Sequence, residues 1–261
     1  MKLQNFWIVP APGGSFVRLA FVLVGLAASS LALPVVRAGD PPADSAAAQR
    51  RAAVREMDGL IRANPAAIGA FHQRGVLQFQ LGEMAGAIRD FDQVIKLAPD
   101  RAPDYWQRGI ALYYAGRYAD GRKQFELHQT VNPNDVENAA WHFLCVAKQE
   151  SPAAARKVLI PIPGDGRIPM MKILDLFAGK ATAEDVLREA AKGNPPSEEL
   201  RSRLFFAHLY LGLFAAANGD AVGEREHIQK SVTEFSEPHY MGDVARVHWT
   251  ILQSTATKPK P

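Results

Sequence analysis

A chain of 261 residues with 48% apolar side chains carries enough hydrophobic material to bury a substantial core, which places it among globular rather than disordered sequences. Its formal charge of +3 comes from the first 38 residues, where Lys2, Arg18 and Arg37 stand without any acid; the 27 basic residues that follow balance 27 acidic ones, so the basic pI argues for no nucleic-acid partner. Cys145 is the single cysteine, which excludes an intramolecular disulfide framework and a CxxC metal knuckle.

Lys2 and Arg18 precede an apolar run from Leu19 to Leu33, and Val36-Arg37-Ala38 offers residues that a signal peptidase reads. Residues 1–38 therefore predict an export signal cleaved after Ala38, and export points to the bacterial periplasm. The run is about 15 residues, short of the roughly 20 that cross a bilayer as a helix, and Pro34 interrupts it. A membrane anchor formed by an uncleaved signal is the alternative; after cleavage no stable membrane insertion is expected. Residues 39–45 (GDPPADS) predict a flexible linker, with helical periodicity starting near Ala46.

From there the chain repeats itself. Gly75 is followed by Gly109, Gly82 by Gly116, Phe91 by Phe125 and Pro99 by Pro133, each 34 residues on, and one step back from Pro99 lies Pro65. The residue types suit a helical hairpin. Gly75 and Gly109 stand mid-way along a first helix, where a second helix crosses too closely for a side chain. Gly82 and Gly116 end that helix in a left-handed cap, and Pro99 and Pro133 stop the second one. Phe71, Gly75, Gly82, Ala87, Phe91 and Pro99, then Tyr105, Gly109, Gly116, Phe125 and Pro133, resemble the tetratricopeptide-repeat consensus over about 68–101 and 102–135. The segment Ala46 to Pro65 matches only a second helix, with Ala53 and Met57 at the places of Ala87 and Phe91.

Past Pro133 the pattern degrades. Val136 to Gln149 reads as a first helix and Pro152 to Leu159 as a short second one, closing an N-terminal region over 46–160. Pro161, Pro163, Gly164, Gly166 and Pro169 break helical structure and make 161–169 a connection or hinge. Met170 to Phe177 and Thr182 to Lys192 read as short amphipathic helices, with Thr182 as N-cap of the second, and Ser197 caps the next. Gly212 and Gly219 restore the seven-residue interval of Gly75 to Gly82, so Glu198 to Phe235 predicts another helix pair. A last helix from Asp243 to Leu252 would cover the open end of the stack. It completes a C-terminal region over 170–253, before a polar tail at 254–261.

The resemblance implies an all-α, right-handed superhelical stack of antiparallel helix pairs, with a degenerate middle repeat and a C-terminal capping helix. It also implies a concave groove lined by first helices. Counted from the two glycines, the groove places hold His72, Val76, Phe79 and Gln80, then Trp106, Ile110, Tyr113 and Tyr114. Aromatic groups on such a face suit a partner peptide or helix. The opposing reading is that Trp106 and Tyr113 pack inside the same chain, since an aromatic stripe at helical spacing also describes a core.

Two constellations carry an alternative, an exported hydrolase-type enzyme. His142 and Cys145 lie three apart on one helix, the minimum for an imidazole-activated thiol, and His239, Asp243 and His248 offer a His-Asp pair. A lone cysteine in WHFLCVA is more simply a small buried hydrophobe, and Asp243 more simply a helix N-cap. Glu224, Arg225, Glu226 and Lys230 read as a solvated helix face. No metal or cofactor site is expected, and no catalytic residues are assigned on the favoured reading, an exported adaptor or scaffold for other proteins. The order of a Trp-containing helix, a degenerate middle and a late LYLG helix pair resembles NlpI-type periplasmic repeat proteins over roughly 46–235. That resemblance implies cell-envelope enzymes as partners, and homodimerisation.

Overall fold

The computed structural model describes residues 43–256, with side chains from Ser45 to Thr255. The expected export signal, residues 39–42 of the expected linker and the end of the polar tail lie outside the described residues. Among the described residues every regular element is helical.

In chain order these are α1 (Ala43–Ala63), α2 (Ile68–Gln80), α3 (Met84–Leu97), a 3-10 helix (Pro99–Asp104), α4 (Trp106–Tyr114), α5 (Tyr118–His128) and α6 (Val136–Gln149). There follow α7 (Pro152–Lys157), α8 (Met170–Phe177), α9 (Ala183–Ala190), α10 (Ser197–Asn218), α11 (Ala221–Thr233) and α12 (Tyr240–Ala256). Helices pack on their chain neighbours in an antiparallel-like succession as far as α7 and again from α8 onward, and α6 also receives α8 and α10.

Three details depart from the sequence reading. Helix α1 begins at Ala43, inside the expected linker. Ser197 is the first residue of α10 and caps nothing through its side chain; Pro196 holds the preceding position. Asp243 lies in the first turn of α12 rather than at its cap, because the helix starts at Tyr240. Thr182 does cap α9, in a reciprocal box with Asp185 that satisfies two amide donors at the helix start.

Three hairpins share one lock. A methyl group at Gly75 would stand 2.7 Å from Phe91 Cε1, one at Gly109 2.6 Å from Phe125 Cζ, and one at Gly212 2.7 Å from Ile228 Cγ1. In each case the partner is 16 residues on, and the first helix is turned off seven residues after the glycine by Gly82, Gly116 or Gly219, at φ +76°, +74° and +77°. Only a residue without Cβ allows that approach, and left-handed backbone at the turn favours glycine again.

A polar ladder with the same period joins the first five helices to α6. Arg74 donates to Asp58 Oδ1 at 2.7 Å and grips Asp90 with two bonds of 2.7 and 2.5 Å. Arg108 donates to Asp92 Oδ1 at 2.6 Å and Gln124 Oε1 at 3.2 Å, and His142 Nε2 lies 3.3 Å from Glu126 Oε1. Arg74, Arg108 and His142 are spaced by 34, as are Asp58, Asp92 and Glu126. Each basic group bridges the second helix before it, so the ladder extends the repeat back into α1 and forward into α6.

The Pro/Gly-rich connection is held by charge. Arg167 reaches Asp165, Asp135 and Glu137 with bonds of 2.6, 2.7 and 2.5 Å, while Tyr210 donates to Glu137 Oε2 at 2.7 Å. Burial alone would raise the Asp165 carboxyl, but the hydrogen bonds and charge of Arg167 outweigh it and hold its pKa down. Burial pushes Glu137 up against the pull of the same guanidinium. With Ile162 also buried, this segment is fastened to the start of α6, where the sequence allowed a hinge, and Tyr210 ties the same Glu137 to α10.

Candidate functional site

Four of the eight candidate groove residues, Phe79 and Gln80 of α2 with Trp106 and Tyr114 of α4, meet α12 of the same chain. Phe79 and Ile110 are completely buried and Tyr113 nearly so. The Phe79 ring stacks on Tyr240 with centroids 5.1 Å apart, and Trp106 meets Tyr240 edge-on at 5.0 Å. Gln80 Nε2 donates to Asp243 Oδ2 at 2.7 Å. Tyr113 packs edge-on against Trp141 of α6. His72 turns the other way: its Nδ1 lies 3.3 Å from the Tyr105 hydroxyl, and burial lowers the imidazole pKa. Val76, Trp106 and Tyr114 remain partly buried at the edge of this core.

The face is therefore filled. Phe79, Ile110 and Tyr113 are core side chains, and the opposing reading, that Trp106 and Tyr113 pack inside the same chain, describes Tyr113 against Trp141, while Trp106 stays half-buried against Tyr240. Helix α12 packs on α11 and also reaches back to α2 and α4 through Tyr240, Asp243 and His248. Met241, Val244, Ala245, Val247 and His248 are all buried along it.

One hydroxyl–imidazole–carboxylate chain was not foreseen. The Tyr114 hydroxyl lies 3.0 Å from His248 Nδ1, and His248 Nε2 lies 2.8 Å from Glu224 Oε1. A neutral imidazole protonated on Nε2 accepts from Tyr114 and donates to Glu224, satisfying both contacts. The order has the form of a nucleophile, base and orienting acid, but burial raises the Tyr114 phenol well above its ordinary pKa, and the hydroxyl is spent on the imidazole within the packed interior. What the chain does is tie α4, α11 and α12 together. Glu224 had read as part of a solvated face. It instead carries this bond, and Arg225 bonds the Leu252 carbonyl at 3.0 Å while covering the Trp249 ring. Only Glu226 and Lys230 form the exposed i,i+4 pair that the pattern suggested. An unusual pairing of Tyr with His 134 positions away leaves no local signal.

The other candidate constellations are dispersed. His142 turns its Nε2 to Glu126, as part of the ladder, while the Cys145 thiol packs where a methyl at Gly121 would meet it at 2.9 Å. Cys145 is fully buried, and burial pushes its thiol pKa up, away from thiolate chemistry. His239 stacks on Phe206 with centroids 5.5 Å apart, Asp243 is taken by Gln80 and Arg246, and His248 by Tyr114 and Glu224. No three of these groups converge on one point.

A close imidazole pair stands elsewhere: His208 and His227 place their Nδ1 atoms 2.9 Å apart, with His208 stacked on Phe235. Burial, reinforced by His227, lowers the His208 pKa to about 4, and burial lowers His227 as well, so one ring can donate to the other. Among the described residues, no three His, Cys, Asp or Glu side chains are grouped to hold a metal ion, and no helix is long and apolar enough to cross a membrane. No family model matches the chain, and no curated protein matches it.

Proposed function

We propose that the chain is an exported adaptor or scaffold, a right-handed superhelical stack of tetratricopeptide-type hairpins that holds other proteins together and catalyses no reaction itself. The observation that carries this reading is the coincidence of two independent devices on one 34-residue period: the glycine locks at Gly75 and Gly109, and the ladder of Arg74, Arg108 and His142. Hairpins repeated in this way bury their cores between neighbours and leave helix faces and edges as extended surface for partners. The resemblance to NlpI-type proteins supports the periplasm as the place, cell-envelope enzymes as partners and a homodimer as the assembly. The inner face around Trp106 and Tyr114 holds α12, so partners engage surface that α12 leaves open, including the partly exposed Val76 and Trp106 at its rim.

The test is chemical cross-linking of the mature chain, residues 39–261, in an envelope extract of the source cell. The reading requires discrete partners that excess unlabelled chain competes away. Cross-linking no more selective than that of an unrelated helical protein of equal charge overturns it. The enzyme alternative is separated by thiol labelling: the adaptor requires Cys145 to stay unmodified until the protein is denatured, and rapid modification of the native chain would favour the enzyme.

A further inference from the structure

Helix α1 is half of a hairpin. Its residues Ala53, Glu56, Met57 and Leu60 stand 34 positions before Ala87, Asp90, Phe91 and Val94 of α3. In α3 all four are buried, Ala87, Phe91 and Val94 completely, because α2 supplies Gly75 to receive the Phe91 ring and Arg74 to pair with Asp90. In α1 the same four places are partly or wholly exposed: Leu60 is 50% accessible, and Glu56 makes no ion pair among the described residues. The 34-residue register of glycines is not continued in the sequence towards the N-terminus. Position 48, where Gly82 and Gly116 turn the other hairpins, is Ala48 inside α1, and position 41, where Gly75 and Gly109 would fall, is Pro41.

We propose that this outer face of α1 docks an amphipathic helix from another protein that carries a basic residue followed directly by glycine. The glycine seats on Met57, the basic side chain pairs with Glu56, and an apolar flank of the helix covers Leu60. Arg74-Gly75 does this on Asp90 and Phe91, and Arg108-Gly109 does it on Phe125 with a hydrogen bond to the neutral Gln124 in place of the ion pair, so the fold twice displays the glycine-bearing helix that α1 lacks and once its charge pair. The charge requirement rests on one residue: Asp58 of α1 is already paired with Arg74, whereas Glu56 makes no ion pair among the described residues and is placed to take an incoming cation. The proposal deepens the adaptor reading by naming one surface and the chemistry of its partner.

The probe is a fluorescent peptide copying residues 66–83 of this chain, titrated into the full chain and followed by anisotropy. Saturable binding is expected, at least tenfold weaker for the Gly75→Leu peptide and for the Arg74→Glu peptide. A Glu56→Lys chain should reject the parent peptide and regain the Arg74→Glu peptide. A Leu60→Asp chain should bind neither, with its circular dichroism and melting curve unchanged because Leu60 is already exposed. No saturable binding, equal binding of the Gly75→Leu peptide, or binding indifferent to Glu56 and Leu60 overturns the proposal. So does a self-association of the chain that Leu60→Asp abolishes and the peptide cannot compete, which assigns the face to a second copy. Each of these outcomes leaves the extract cross-linking result to judge the adaptor reading by itself.

Discussion

Gly75 and Phe91 make one contact that neither residue explains alone. Because an added methyl would lie 2.7 Å from the Phe91 ring edge, Gly75→Ala forces the ring or the helices apart. Such overpacking costs about 1–3 kcal/mol, and Phe91→Leu in the same chain should return part of it, giving a double variant less destabilised than the sum of the two. Urea denaturation of the three proteins measures this; strict additivity would mean that the two side chains do not share the site. His208 makes a second residue-scale case. Its pKa, lowered to about 4 by burial and then by His227, means that the folded ring stays neutral while the unfolded one, near 6.5, takes up a proton. The stability so contributed is present above pH 6.5 and is lost as pH falls from there towards 4. His208→Gln should flatten the melting temperature across that window relative to the parent, as read by thermal melts at half-unit pH intervals.

Between elements, the ladder rungs differ in burial and should differ in consequence. Asp90 is 4% exposed and depends on Arg74, whose guanidinium pKa the Asp90 hydrogen bonds raise; Arg74→Met leaves a buried carboxylate unpaired, a loss of about 3–5 kcal/mol. Asp92, on the next rung, has a half-exposed side chain, and the Gln124 amide keeps its bond to the Ala102 carbonyl, so Arg108→Met should cost only about 1 kcal/mol. Equilibrium unfolding of the two variants decides it, and equal losses would remove burial as the cause. The glycine interval was readable because a lock needs glycine and a left-handed turn needs glycine, and both leave a letter in the chain. The rungs obey the same period, yet Asp, Glu, Arg and His at matching places do not look alike, and on a helix such residues pass for solvated surface. Glu224 was misread for that reason: its helix pattern is the same whether it faces water or His248.

For the molecule as a whole, α12 decides whether the first-helix face is open. Met241, Val244, Ala245, Val247 and His248 are buried along it. At about 1.5–3 kcal/mol for each large apolar side chain removed from water, lifting α12 off would consume a stability comparable to that of an entire domain. It should therefore behave as core and not as a lid. Hydrogen exchange on the native chain is expected to show α12 amides from Val244 to Val247 exchanging at the rate of α10 and α11, through global unfolding. Val244→Asp should lower the melting temperature of the whole chain in one transition. Fast exchange confined to α12, with α2 and α4 exposed by it, would restore the open-groove picture.

The chain by itself determined the local and periodic features. The all-helical class, the starts of α6 and α8, the Thr182 cap and the turns at Gly82, Gly116 and Gly219 follow from propensities, capping chemistry and sterics acting over one or two helical turns, all of which a linear pattern records. Only the tertiary structure decided what lies against the aromatic face. Periodicity states that Phe79, Trp106 and Tyr113 share a side, but it is blind to what covers that side. Gln80 meets Asp243 across 163 residues and Tyr114 meets His248 across 134. Contacts at such separation are chosen by where the whole chain can bury its remaining apolar surface, a competition among all its helices that no single stretch of sequence contains.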